Sequence, residues 1–490
     1  MKITKKITTL SIIISLLFTS FTSCVSRKPQ EDSRQKGPDQ MGKMDRPGNS
    51  PKGRPDDNFA FGVKPGPKDM PGPDGMMARP GQEGPDSNKK IQYAASVEIT
   101  SAETQNNQIY TSSSEDECAL LISTKDNVFI NNPTVNKTGD SKGGDACNFY
   151  GLNASVLVKG GSKTSINGGN ITSNANGANG VFSYGGNGAM NGGQGDGTTV
   201  IIKDTKIVTK GNSSGGIMTT GGGITKAYNL DITTSGRSSA AIRTDRGGGT
   251  VTVEGGTYTT NGLGSPAIYS TADITVSNAN LTSNLSEGVC IEGKNSITLN
   301  NCNLTANNTQ KNGKASFLDT IMIYQSMSGD ADSGTSSFTM NGGKLTGKNG
   351  HIFHVTNTNA IINLDDVIIQ NEDENNILLS VCDDGWSGAS NKAALNAVNQ
   401  KLNGSILVGK NSTFSLNLKE NTVFEGSIKG SIKNADGKII SEKTGNVSVS
   451  LDESSRWILT DDTYISSFAG DLSKVNLNGH KLYINNKLVN

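Results

Sequence analysis

The sequence predicts an all-β fold, a right-handed parallel β-helix with three strands per coil, on three observations. Motifs recur at a fixed interval, each copy holds three short runs of alternating apolar residues, and Gly, Asn or Ser separates the runs with no 3.6-residue period. The starts at Val251, Ile274 and Ile297 lie 23 residues apart, and Phe338 to Ile361 repeats the interval. Coils upstream, at Val200 and Ile224, are slightly longer, so a coil takes ~23–26 residues. Stacking such coils pairs each strand in parallel with its copies ~4.8 Å above and below, and piles like side chains into files. One file is Ile207, Ile232, Tyr258, Leu281 and Leu304; a second is Ile217, Ile242, Ile268 and Ile291. Thr and Asn at neighbouring slots are expected to form outward ladders and turn stacks. A β-propeller or a sandwich fits the spacing less well.

Along the chain, residues 1–23 read as a secretory signal: Lys2, Lys5 and Lys6 precede an apolar run from Ile7 to Phe18 that is too short to span a bilayer. Phe21-Thr22-Ser23-Cys24 resembles a bacterial lipobox, with Phe21 in place of the usual Leu, and implies lipidation of Cys24. A plain signal peptide with a chance cysteine is the alternative. Residues 24–90 alternate Pro, Gly and charged side chains, and bury too little apolar surface to offset ordering entropy; a disordered tether is expected. Residues 91–403 carry the β-helix, and 404–490 keep strand alternation, lose the register and finish as coils and cap. Long loops are expected at 185–197 and 307–337, where the period stretches.

Composition narrows the function. With 45 basic and 45 acidic residues, nothing favours nucleic acid as a partner. Cys118, Cys147, Cys290, Cys302 and Cys382 are an odd set, read as small buried residues, with a Cys118–Cys147 bridge as the alternative.

Segments Ser238–Gly249, Ser265–Asp273, Tyr324–Asp332 and Trp457–Thr460 resemble a bacterial family of secreted or surface β-helix proteins of pectin-lyase-like fold, over most of residues 93–490. That family generally has no assigned activity, so the resemblance implies architecture and little chemistry.

Catalysis on this fold has to be sought residue by residue. A polygalacturonase-like site needs companions that the doublets Asp365-Asp366, Asp383-Asp384 and Asp461-Asp462 lack, and Gly350-His351-Ile352 misses its second glycine. Arg243, Asp245 and Arg246 are the clearest cluster for a lyase, against a plain turn in which Asp245 bonds the following backbone and the arginines are solvated. His351 and His354, three apart, are expected on opposite faces of a strand, so no zinc or other metal site and no cofactor are expected. Asp330 and Asp332 read as a polar turn rather than half a calcium loop.

Alternation along the third strand turns Met218, Arg243, Tyr269, Glu292 and Tyr324 outward, and two positions on Thr220, Asp245, Thr271, Lys294 and Ser326. Such a row on a flat sheet suits an extended glycan, with Arg243, Asp245, Tyr269, Glu292, Lys294 and Tyr324 as contacts; an ordinary solvated face is the alternative. The expected function is a lipid-anchored cell-surface β-helix, adhesin-like or glycan-binding, without catalysis. The alternatives are a polysaccharide lyase or glycoside hydrolase, and a structural stalk. Partners are then a polysaccharide or host-surface glycan and the membrane holding the anchor.

Overall fold

The structure, a computed structural model, describes residues 91–187 and 194–489; segments 1–23 and 24–90, with Cys24, lie outside the described residues. Within them the parallel β-helix is the observed fold. Through most of the stack each coil adds one stretch to a thirteen-stranded sheet and two to a twenty-two-stranded sheet, while the last coils give one of their strands to a separate four-stranded parallel sheet. In the middle of the stack Asp273–Ser277 pairs in parallel with 250–254 below and 296–300 above, so the 23-residue interval is one turn of chain.

The first predicted file is present in full: Ile207, Ile232, Tyr258, Leu281 and Leu304 follow one another in register. The second is corrected at one member. Ile217, Ile242 and Ile268 align, but the next residue in line is Val289, and Ile291 stands opposite Ser270. The corner before Val289 is two residues shorter than those below it, so an interval of ten carried up from Ile232 and Ile242 overshoots. A two-residue slip keeps side-chain parity, and Ile291 is still in the core.

Asn and Gly abundance has a local cause. The corner between the two strands of the larger sheet repeatedly takes a left-handed residue, with Asn132, Asp204, Asn229, Asn278 and Asn301 at φ between 50° and 56°. Asn and Asp tolerate this conformation because their short polar groups bond locally, and Gly255 fills the same corner without a Cβ penalty. The expected ladders also form: Asn417 Nδ2 donates to Asn396 Oδ1 at 2.8 Å, and Asn396 Nδ2 to Asn363 Oδ1 at 2.9 Å. Asn396→Ala removes both bonds from a half-exposed site, and a loss of about 1 kcal/mol in a urea unfolding series is the expected outcome.

Stacking does not break at residue 404. Thr413–Lys419 pairs in register with Lys392–Val398, and Asn446–Leu451 follows on it. The end of the stack adds two antiparallel hairpin pairings, Ser431–Lys433 with Ile439–Glu442, and Leu482–Ile484 with Lys487–Val489. All five described cysteines are buried and none is in a disulfide, as their reading as small core residues requires.

Candidate functional site

Outward rows on the thirteen-stranded sheet carry Arg243, Tyr269, Glu292, Tyr324 and His354. Arg243 and Tyr269 are neighbours in one row, continued by Cys290, Met322, His354 and Ser380. Glu292 and Tyr324 are neighbours in the next row, two positions along, because the shorter corner moved that coil.

The solvated row expected here is overturned. Arg243 is 8 % exposed, Asp245 4 %, Tyr269 4 %, Glu292 0 % and Tyr324 1 %. Insertions fold back over the sheet because their own apolar residues need cover. Phe149, in the short helix Ala146–Phe149, lies under the Arg246 guanidinium at 3.9 Å, and Trp386 packs on Tyr324 with centroids 5.2 Å apart. Tyr269, Cys290, Met322, Tyr324, Ala315 and Trp386 thus make a small second core outside the coil. Of the six predicted contacts only Lys294 is exposed, and its ammonium pairs with Asp332 at 2.7 Å.

The buried groups fasten these loops. Arg243 bonds Asp245 at 2.7 Å, Arg246 bonds Asp330 at 2.7 Å, and Asp245 accepts the Arg246 backbone N–H at 2.9 Å. The turn reading of Asp245 therefore stands, but Arg243 is not solvated. Glu292 accepts hydroxyl bonds from Tyr269 at 2.6 Å, Tyr324 at 3.2 Å and, more closely, Ser326. Burial outweighs these bonds and pushes the Glu292 carboxyl up to about 7; it raises Asp245 as well. A crevice between Arg243 and Tyr269 holds about 10 Å³, room for no more than a water, so a sugar ring cannot reach these groups.

The cover opens farther along the same sheet. A groove of about 470 Å³ runs between Phe317-Leu318 on one side and the turn 433–437 on the other, floored by His351, Ile377 and Leu407. Asp373, Asn375, Lys433 and Asn434 line it with polar groups. Asp373 is held by the N–H groups of Gly350 at 2.7 Å and Asn375 at 3.0 Å. The turn is tied to the opposite wall, since Ala435 N–H donates to Ser316 O at 2.9 Å and Lys311 pairs with Asp436.

His351 in the floor and His354 beneath it both reach Ser380 Oγ through Nδ1, each at 2.7 Å. The expectation of opposite faces is corrected: Ile352 and Phe353 both turn into the core at the corner opening strand His351–Thr356, so alternation fails across it. His354 Nε2 meets Asp384 Oδ2 at 3.2 Å, and Asp384 Oδ1 accepts from Ser316 N–H at 2.8 Å. Phe317 packs against both rings, 5.3 Å from His351 and 4.7 Å from His354. Sequence reasoning set these histidines and the Asp383-Asp384 doublet aside separately. The usable signal was the 26-residue interval from His354 to Ser380, about one coil.

Asp461, Asp462 and His480 also bring ligand atoms within 4.8 Å of one another, but Lys429 already occupies Asp461. Among the described residues no helix is long and apolar enough to cross a membrane. No family model, no curated protein and no solved structure matches this chain, so the fold and its groove carry the functional argument.

Proposed function

We propose that the protein is an exported β-helix, anchored through a lipid on Cys24, that holds a surface glycan without cutting it. The observation that carries this reading is the groove of about 470 Å³ on a rigid sheet, lined by Asn375, Asn434, Asp373 and Lys433. Two amides, one carboxylate and one ammonium offer donors and acceptors in opposed sign, which suits the hydroxyls of a neutral sugar better than a uronate chain. Arg243, Asp245, Tyr269, Glu292 and Tyr324 then serve by fastening loops rather than by touching ligand. The likeness of Ser238–Gly249 and Ser265–Asp273 to secreted or surface β-helix proteins supports export, and not the choice of ligand.

A polysaccharide lyase or hydrolase is the second reading, favoured by one observation: Glu292, held near 7 beside Tyr269, has the properties of a general acid. It requires the loops to open. A panel of neutral and acidic polysaccharides, scored for retention and for new reducing or unsaturated ends, separates the two. Retention of a neutral glycan without new ends is the expected outcome, and Asn375→Ala with Asn434→Ala should weaken it roughly tenfold, two lost hydrogen bonds' worth. New ends support the enzyme. Neither retention nor ends leaves a structural stalk.

A further inference from the structure

We infer that His351 is the specificity-determining contact of the groove, presenting a bare Nε2 that accepts a hydrogen bond from a hydroxyl of the ligand. The inference rests on the groove reading above and adds to it the residue, the atom and the direction of the bond.

Four groups form one chain, from Asp384 through His354 and Ser380 to His351. Asp384 accepts from the Ser316 N–H and hydroxyl, and it acts as acceptor toward His354 too, so His354 Nε2 carries a proton. Written with both rings neutral, the remaining bonds have one consistent arrangement. His354 Nδ1 is bare and accepts the Ser380 hydroxyl. Ser380 has then used its only proton, so its oxygen accepts from His351, whose Nδ1 must be protonated. One proton per neutral ring leaves His351 Nε2 bare.

That nitrogen has no hydrogen-bond partner among the described residues, and its ring is only half-buried, on the floor of the groove. Its surroundings favour the neutral ring. Burial first, then the neighbouring His354, push His351 down to about 3, against smaller opposing effects of Asp373 and Asp384. Phe317 covers the rings from one side and Ser380 is fully buried, so water cannot easily reset the chain. Among the other polar side chains of the groove wall, Asp373 already holds the Gly350 and Asn375 N–H groups, Asn434 Oδ1 holds those of Asp436 and Lys438, and Lys433 only donates. An unengaged acceptor of fixed direction therefore selects a ligand with a hydroxyl at that point, and rejects one with a carboxylate there.

Long-range ¹H–¹⁵N NMR of the full chain with ¹⁵N-labelled histidine tests this directly, since the chain has only 3 histidines. The expected result is opposite tautomers, His351 with Nδ1–H and a bare Nε2, His354 with Nε2–H. Addition of a retained neutral glycan should shift the His351 Nε2 signal, and His351→Ala should weaken retention at least tenfold. Ser380→Ala, which removes the orienting hydroxyl and spares the groove wall, should mix the His351 tautomers and weaken retention severalfold. A protonated Nε2 on His351 in the wild-type chain overturns the inference even where glycan is retained. Failure of the wild-type chain to retain any glycan brings down the groove reading and the ligand half of the inference together, whatever the tautomer.

Discussion

Replacing Tyr324 by Ala should cost about 3–5 kcal/mol of stability, the range for emptying a buried aromatic site. The ring is 1 % exposed, packs against Trp386 in the cluster that also holds Met322 and Cys290, and its hydroxyl reaches Glu292 at 3.2 Å. Truncation therefore leaves a cavity in the small outer core and takes one hydroxyl from the carboxylate. Tyr324→Phe, which keeps the ring, should lose only about 1 kcal/mol. Guanidinium unfolding of the three proteins measures the difference. On a solvated glycan-binding row the Ala variant would instead stay within about 0.5 kcal/mol of wild type. An effect that small would return Tyr269 and Tyr324 to the surface and contradict the loop cover.

Glu292→Gln should flatten the pH dependence of stability. In the fold burial penalises the charge and pushes the carboxyl up to about 7, against its ordinary value of 4.5. Between those values the folded chain holds a proton that the unfolded chain has released. The slope of unfolding free energy with pH is then negative, and this contribution, full below about pH 4.5, is lost as pH rises through 7. The shift corresponds to roughly 3 kcal/mol. Wild type should lose about that much from pH 4.5 to 8 through this group, while the Gln variant should be the more stable protein at pH 8. Asp245, also raised by burial, adds loss of the same sign starting lower, and that part should survive the substitution. Equal slopes in the two proteins would mean that Glu292 is solvated and its hydroxyl cage absent.

The sequence by itself determined the coil. Parallel stacking needs only a repeat length, alternation and turn residues, and all three are local properties: Ile207, Ile232, Tyr258, Leu281 and Leu304 could be placed in one file from spacing alone. Inside-outside parity survived even the slip at Ile291, because a two-residue error returns a side chain to the same face. What covers the outer face was decided only in three dimensions. Phe149, Trp386 and Ser326 come from segments between strands, only the last of them in a stretch that spacing marks as a loop, and spacing does not say where any of them lands; their landing turned a predicted row of contacts into a second core. The groove has the same origin. His351 stands on one coil and Ser380 and Asp384 on the next, Lys433 and Asn434 on a hairpin, and a corner that turns two residues inward together set His351 and His354 on one side. Strand alternation is a rule of extended backbone, and it lapses at corners, which is where this chain assembles the groove.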